Sequence, residues 1–415
     1  MKTLICGLKT SLSVKLWLLI LCFVPFMGIA QIDERVYMTD SRLDSTKKGE
    51  LSIEIDNISF FQNNEFSSDL VKGYTLPGMW VQPKAVFYPL GNIKLEAGLH
   101  MLRYWGANKY PNFAYTDIAK WKGSQYQSGV HWLPYFRAHF SLSPKLDIIL
   151  GNIYGAANHR LADPLYNSEL NLSADPEAGM QLLYKSKVVD VDAWINWESF
   201  IFEGDTHQEA FTVGLSSQLR LNETSKKVHF YLPVQVLAQH RGGEIDTIFT
   251  NSIQTNINAA VGAGITVSVG DHSLRQLNFE LTGVGLYQQS GKWLPYASGY
   301  GIYPKVTASF KYVRLKAAYW TCHNFVSLLG SPFFGSLSTA YPGRQYQNPG
   351  FIYAGFEYSK TFAKGFSLGV DLDVYRHNAV TSLDPEKGVL NEKAAVSFGA
   401  GVYLRINPTF LLKKF

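Results

Sequence analysis

The stretch DVDAWINWESF, Asp190–Phe200, places Asp190, Asp192, Asn196 and Glu198 at every second position, with Val191, Ala193, Ile195 and Trp197 between them. A period of two belongs to a strand, whose successive side chains point to opposite faces. One face of this strand is acidic and the other greasy. Burying so many ions in a dry interior is costly, so the acidic face is either wet or tightly paired.

The same alternation recurs along the chain, in IKLEAGLHM (93–101), VHWLPYFRAHFSL (130–142), FTVGLSSQL (211–219), INAAVGAGITVSV (257–269), LNFELTGVGLY (277–287), FIYAGFEYS (351–359), FSLGVDLDVY (366–375) and VSFGAGVYL (396–404). No segment sustains a 3.6-residue period with caps, which excludes α/β folds. Short joins rich in turn formers, PLGN (89–92), SPK (143–145), SKV (186–188), GDHS (270–273) and FAKG (362–365), alternate with long ones near 105–127, 156–177, 200–208, 241–254, 327–349 and 376–393. Two join lengths in alternation predict an all-β chain: a transmembrane, antiparallel, up-and-down β-barrel of about sixteen strands, with fourteen to eighteen possible. A soluble β-sandwich uses the same alternation, but not the long strands or the two join lengths. Pro83, Pro134, Pro233 and Pro304 fall inside predicted strands, where they cannot donate to the ladder, and the sequence pattern gives Pro233 no account.

The amino terminus fits export. Lys2, Lys9 and Lys15 precede or flank the apolar run LWLLILCFVPF, and Gly28-Ile29-Ala30 follows, so residues 1–30 read as a signal peptide cut before Gln31. Leu21 stands before Cys22 where a lipidation site wants a small residue. Residues 31–47 are expected to form a periplasmic segment, and residues 48–415 the barrel. Losing three lysines lowers the formal net charge from +5 to +2, which removes the basic excess that nucleic-acid binding would use. Cys322 is then the only thiol, and no intramolecular disulfide is available. A mean hydropathy of −0.05 is compatible with alternating membrane strands, and an aromatic content of 14% supplies two interfacial girdles, with aromatic flanks such as Tyr104-Trp105, Trp194 and Trp197 with Phe200, and Tyr353 with Tyr358.

Face assignment follows the alternation. Leu95, Ala97 and Leu99, Phe136, Ala138 and Phe140, and Val370, Leu372 and Val374 join the greasy face and are expected to meet outer-membrane lipid. The opposite face supplies pore-lining candidates: Lys84, Glu96, Arg137, Asp190, Asp192, Glu198, Arg220, Glu280, Lys305, Lys311, Lys316, Glu357, Asp371, Asp373 and Arg405. Acidic and basic groups fall on different strands, so separate arcs across a pore are expected, with pairing between neighbours as the alternative.

With these features the chain resembles a Gram-negative outer-membrane β-barrel of porin-like kind, and its Ala30-Gln31 junction is similar to those of exported Bacteroidota proteins. The resemblance covers the architecture of residues 31–415. It implies a last strand with an aromatic end, read by the outer-membrane assembly machinery. VSFGAGVYLRI and the terminal Phe415 are similar to such an ending, while the intervening NPTFLLKK departs from it.

Three groupings could carry chemistry. GAANHRLADPLYNSE (155–169) concentrates Asn158, His159, Arg160 and Asp163, which could bind an anionic sugar or pair within an inward-folded constriction loop, or form a solvated loop with internal hydrogen bonds. DTHQE offers Asp205, His207 and Glu209 on one face of an extended segment, an arrangement a divalent ion could use but one that is more often hydrated. GSPFFGSLSTAYPGRQYQNPG (330–350) can fold over the barrel mouth or stack on sugars. With no serine elbow, metal set or cofactor motif, the leading expectation is a non-enzymatic channel for passive diffusion of small polar solutes. An outer-membrane enzyme acting at the barrel rim, and a plugged barrel for binding or assembly, are the alternatives.

Overall fold

The structure, a computed structural model, describes residues 36–104, 130–204, 208–246, 253–270, 273–362 and 365–415. The predicted signal segment, Trp105, Asp205 and His207 lie outside the described residues. The wall begins with β1 (Glu50–Glu65), β2 (Tyr74–Leu90), β3 (Ile93–Tyr104), β4 (His131–Ser143), β5 (Leu146–Asn152), β6 (Ala178–Lys185), β7 (Val189–Ser199) and β8 (Ala210–Arg220). It continues with β9 (Val228–Arg241), β10 (Gln254–Ser268), β11 (Leu274–Ser290), β12 (Ser298–Phe310) and β13 (Val313–His323). Beyond β14 (Gln345–Gln347) come β15 (Gly350–Phe362) and β16 (Phe366–His377), then β17 (Val380–Asp384) and β18 (Gly388–Glu392), and finally β19 (Ala395–Ile406) and β20 (Thr409–Lys414).

Each wall strand pairs antiparallel with its neighbours, and β19 returns to β1. With β20 continuing β19, this closes a sixteen-strand barrel and leaves no open edge, as a membrane-spanning sheet requires. β14, β17 and β18 form a separate small sheet at the long-loop end. Large apolar side chains such as Leu99, Phe136, Trp197, Leu281 and Leu372 stand exposed on the outer wall. This is the outward apolar band of a bacterial outer-membrane barrel.

Three of the four prolines share one explanation, and Pro134, which pairs with Leu99 in an unbroken β3–β4 ladder, lies beyond the end of the β4–β5 ladder at Arg137. The β2–β3 ladder runs from Val81↔Met101 to Lys84↔Gly98 without the two pairs between, which skips Pro83. The β9–β10 and β12–β13 ladders omit two pairs in the same way at Pro233 and Pro304. A residue with no N–H therefore sits where one ladder is already interrupted. The carboxyl-terminal departure also resolves: the wall strand breaks at Asn407-Pro408, and β20 then pairs with the first residues of β1, ending in a bond from Phe415 N to Gly49 O at 2.9 Å.

The lumen is occupied. Loops 153–177 and 324–349 fold inward, and Ile153, Leu165, Leu170, Phe325, Leu329, Phe333 and Phe334 pack with the wall residues Leu237, Leu286, Trp320 and Phe351 in one apolar cluster. A loop buried in this way needs partners for its backbone. Inward amides of the wall provide them: Gln181 Oε1 accepts from Tyr154 N at 2.9 Å, Gln235 Oε1 from Ala162 N at 2.8 Å, and Asn258 Oδ1 from Leu328 N at 2.8 Å. Trp194 and Tyr353, read from the sequence as aromatic flanks, belong instead to this inner cluster. Both occupy the same side of their strands as the acids, and the inward loops give them an apolar surface to meet.

Candidate functional site

The inward charges are arranged around one another. Glu96 is held by Lys84 Nζ at 3.1 Å, Lys94 Nζ at 3.1 Å and Arg137 Nη1 at 3.0 Å. Lys84 also reaches Glu54 at 2.9 Å, and Arg137 lies over the Tyr154 ring at 3.8 Å. Asp190 pairs with Arg220, and Lys316 with Glu357. Lys305 pairs with Asp163 at 3.2 Å. Glu198 accepts from Thr212, Glu280 from Tyr231, Asp371 from Tyr37 and Asp373 from Tyr353. Lys311 lies in the turn after β12, its ammonium 5.1 Å from the Tyr312 ring centre. Arg405 grips Asp56 at 2.7 Å and the carbonyls of Val36 and Met38 at 2.8 and 2.6 Å, so the amino-terminal segment runs along the inner wall. Bases and acids thus pair between neighbouring elements, or take hydroxyl and ring partners as Glu198, Glu280, Asp371, Asp373 and Lys311 do, in place of two open arcs.

Within loop 153–177, His159 is buried and flat against Trp194, with ring centres 3.5 Å apart. Its Nδ1 meets Asp192 Oδ2 at 2.8 Å and its Nε2 meets Glu177 Oε2 at 3.1 Å. Burial alone would lower the imidazole, but Glu177 and Asp192 overcome it and hold the group up at about 9. With both nitrogens committed to carboxylates, His159 is a cationic pin that fastens the loop, not a base waiting for a substrate. Arg160, in a left-handed conformation with φ +53°, and Asp163 line a cavity of about 400 Å³ beside Tyr303, Lys305 and Asp373. Farther along the loop, Glu169 accepts from Tyr74 Oη and from Asn64 Nδ2 at 3.2 Å, while burial pushes its carboxyl up to about 7.

Among the described residues, two hydroxyl–imidazole pairs occur at the long-loop end. The first faces inward: His377 Nε2 lies 3.2 Å from Ser397 Oγ, which also accepts from Ser67 N at 3.1 Å. A cavity of about 240 Å³ lined by Ser67, Ser68, His377 and Glu392 adjoins it. The second faces outward from the wall. Along β9 the buried residues Gln235, Leu237, Gln239 and Arg241 alternate with outward ones, which puts His240 on the lipid side. Its partner across the β9–β10 ladder is Thr255. His240 Nδ1 is 2.9 Å from Thr255 Oγ1, and Nε2 is 2.8 Å from Gly242 O. A carbonyl only accepts, so Nε2 carries the proton and, in the neutral ring, Nδ1 accepts from the threonine hydroxyl. The ring stacks on Phe211 at 4.8 Å, and Phe211 stacks on Trp197 at 5.0 Å.

The sequence reading missed His240 and Thr255 because they are fifteen positions apart and become neighbours only through register. A histidine among outward apolar residues was the available signal. It also missed Gln181, Gln235 and Asn258, whose inward amides signalled a filled lumen.

The family model for lipid A 3'-O-deacylase-type proteins matches residues 43–415. The chain belongs to that family. The match corrects the expectation of a non-enzymatic protein, since the family is named for a deacylase. No curated protein matches the chain. Among solved structures, OccAB3 of Acinetobacter baumannii is similar at 10% identity and TM-score 0.47, covering 87% of this chain and 99% of its own. OprD of Pseudomonas aeruginosa is similar at 10% identity and TM-score 0.43, covering 88% and 94%. OmpT of Vibrio cholerae is similar at 10% identity and TM-score 0.44, covering 87% and 99%.

Proposed function

We propose that this protein is an outer-membrane hydrolase that removes an ester-linked acyl chain from a lipid-A-type glycolipid, with the long-loop end of the barrel facing outside the cell. The observation that carries the reading is the family match, which spans the barrel from before its first strand to the last residue. The interior agrees with it. A diffusion channel needs a wet passage, whereas here inward loops and an apolar cluster occupy the lumen. The barrel then serves as a rigid frame that holds reactive groups at the height of the lipid headgroups, where the sugar esters of such a lipid lie. The reaction adds water across the ester and yields a free fatty acid and a sugar hydroxyl.

The test is direct. Purified, folded protein in proteoliposomes containing lipid A is expected to release fatty acid and to leave a glycolipid lighter by one acyl chain, read by mass spectrometry. An unchanged lipid mass with folded protein present would overturn the proposal. A planar-bilayer recording separates hydrolase from channel, because stepwise ionic conductance would favour a channel.

A further inference from the structure

A bilayer glycolipid meets this barrel from outside, at the level of its aromatic belt. On that surface Phe200, Phe202, Tyr287 and Tyr300 are exposed near the long-loop end, and Trp197 lies exposed beside Phe211. Among them stands a hydroxyl whose proton is already directed to an imidazole nitrogen: Thr255 Oγ1 and His240 Nδ1, 2.9 Å apart. The other nitrogen is anchored on Gly242 O at 2.8 Å, the carbonyl of a glycine at φ +84°, a conformation that other residues adopt only with strain. A nucleophile within hydrogen-bond reach of a base, and a third group that orients the base, is the arrangement covalent acyl transfer uses. Both side chains are half-buried, so they are neither sealed in the wall nor fully in water.

The geometry points to Thr255 and His240 as an acyl-transfer site on the lipid-facing wall, with Thr255 Oγ1 as nucleophile, His240 as base and the Gly242 carbonyl as orienting group. This rests on the hydrolase reading and names the place where that chemistry occurs. Thr255 Oγ1 bonds to the ester carbonyl carbon as its proton passes to His240 Nδ1. The bond from that carbon to the sugar oxygen breaks, and the departing oxygen takes the proton from Nδ1, leaving an acyl-threonine and a sugar hydroxyl. Water then adds to the acyl-threonine with His240 taking and returning its proton, which releases the fatty acid and restores the threonine. The imidazolium formed in each half is stabilised through its Nε2–H bond to Gly242 O. Ser397 and His377 are the rival pair. Ser397, however, is fully buried on the lumen side, so a lipid would have to leave its leaflet to reach it.

The experiment compares wild type with Thr255→Val, Thr255→Ser, His240→Phe and Ser397→Ala in lipid A proteoliposomes, with heat-modifiable migration confirming a folded barrel. Thr255→Val keeps the side-chain shape, and His240→Phe keeps the stack on Phe211. Each is expected to lower deacylation at least about 100-fold, while Thr255→Ser retains it. A biotinylated fluorophosphonate, mapped by mass spectrometry, is expected to mark Thr255 in wild type and not in the His240→Phe protein. Full activity in both Thr255→Val and His240→Phe overturns the site and leaves the hydrolase reading standing. An adduct on Ser397, with activity lost in Ser397→Ala, overturns it in favour of the lumen pair. A wild type inactive on lipid A that still takes the probe at Thr255 supports the site and sinks the substrate. The same inactivity with no adduct at Thr255 overturns both.

Discussion

His159 and His240 are both near the long-loop end, one inside the wall and one outside, and they are put to opposite uses. Inside, His159 has a carboxylate on each nitrogen and a tryptophan against its ring, so its proton is fixed and the group fastens a loop. Outside, His240 has a carbonyl on one nitrogen and a hydroxyl on the other, so one nitrogen is left able to accept a proton. The difference comes from what each face must solve. The lumen is crowded with charge that has to be neutralised at short range, whereas the outer wall has lipid for a neighbour and carries few polar groups. The inside is held by paired charge beside an apolar cluster, and the outside by apolar contact.

The largest effect should come from unbalancing the inner face. Glu96 has a wholly buried side chain and faces three cations, Lys84, Lys94 and Arg137. Glu96→Ala leaves them short of an acid, and removing one partner from such a buried group costs about 3–5 kcal/mol. Urea unfolding in detergent micelles is expected to show that loss, and a variant as stable as wild type would mean that water, not protein, satisfies these ions.

Next is the opening strand, where adjacent residues face different media. Ile195→Arg puts a cation against lipid near mid-strand and is expected to cost about 2–4 kcal/mol. Asn196→Ala acts on the other face, and pure alternation would make it neutral. In the structure, however, Asn196 Oδ1 accepts from Ala178 N at 2.9 Å, so losing that bond is expected to cost about 1 kcal/mol. Equal cost for both changes would erase the distinction between the faces.

This strand also shows how far the sequence could be read. Because alternation is local and needs no partner, its period of two puts Trp197 and Asp192 on opposite faces, and in the structure Trp197 is exposed while Asp192 meets His159 of the inward loop. It misread Trp194 as part of a girdle, because the meaning of an inward tryptophan depends on a loop arriving from thirty-five residues upstream. The same limit hid Thr255 from His240. The strand pattern and the two join lengths are local facts that foretold a closed barrel. Which side chains meet inside or across it depends on register and on loops whose direction no local period encodes. Pro233 was unexplained for a related reason, since a ladder gap becomes visible only when both strands are in place.

The smallest effect, and the one that best separates the two histidines, is the response of loop 153–177 to pH. His159 holds its proton up to about 9, above its ordinary 6.5, because Glu177 and Asp192 outweigh the opposing effect of burial. A raised value means that its contribution to docking is complete below about 6.5 and is lost as the pH rises through about 9. Glu169 is raised by burial to about 7 from 4.5, partly offset by Tyr74 and Asn64, so its contribution is complete below about 4.5 and fades as the pH rises through about 7. The signs agree, and the loop should loosen in two stages on going alkaline. Proteolytic nicking near residues 160–168 and the fluorescence of Trp194, which stacks on His159, report the loosening. Glu169→Gln should abolish the first stage and leave the second, and His159→Gln should do the reverse, whereas His240→Phe should leave both in place. A loop that tightens above about pH 9, or one whose two stages survive both loop substitutions, would show that something other than these paired charges fastens it to the wall.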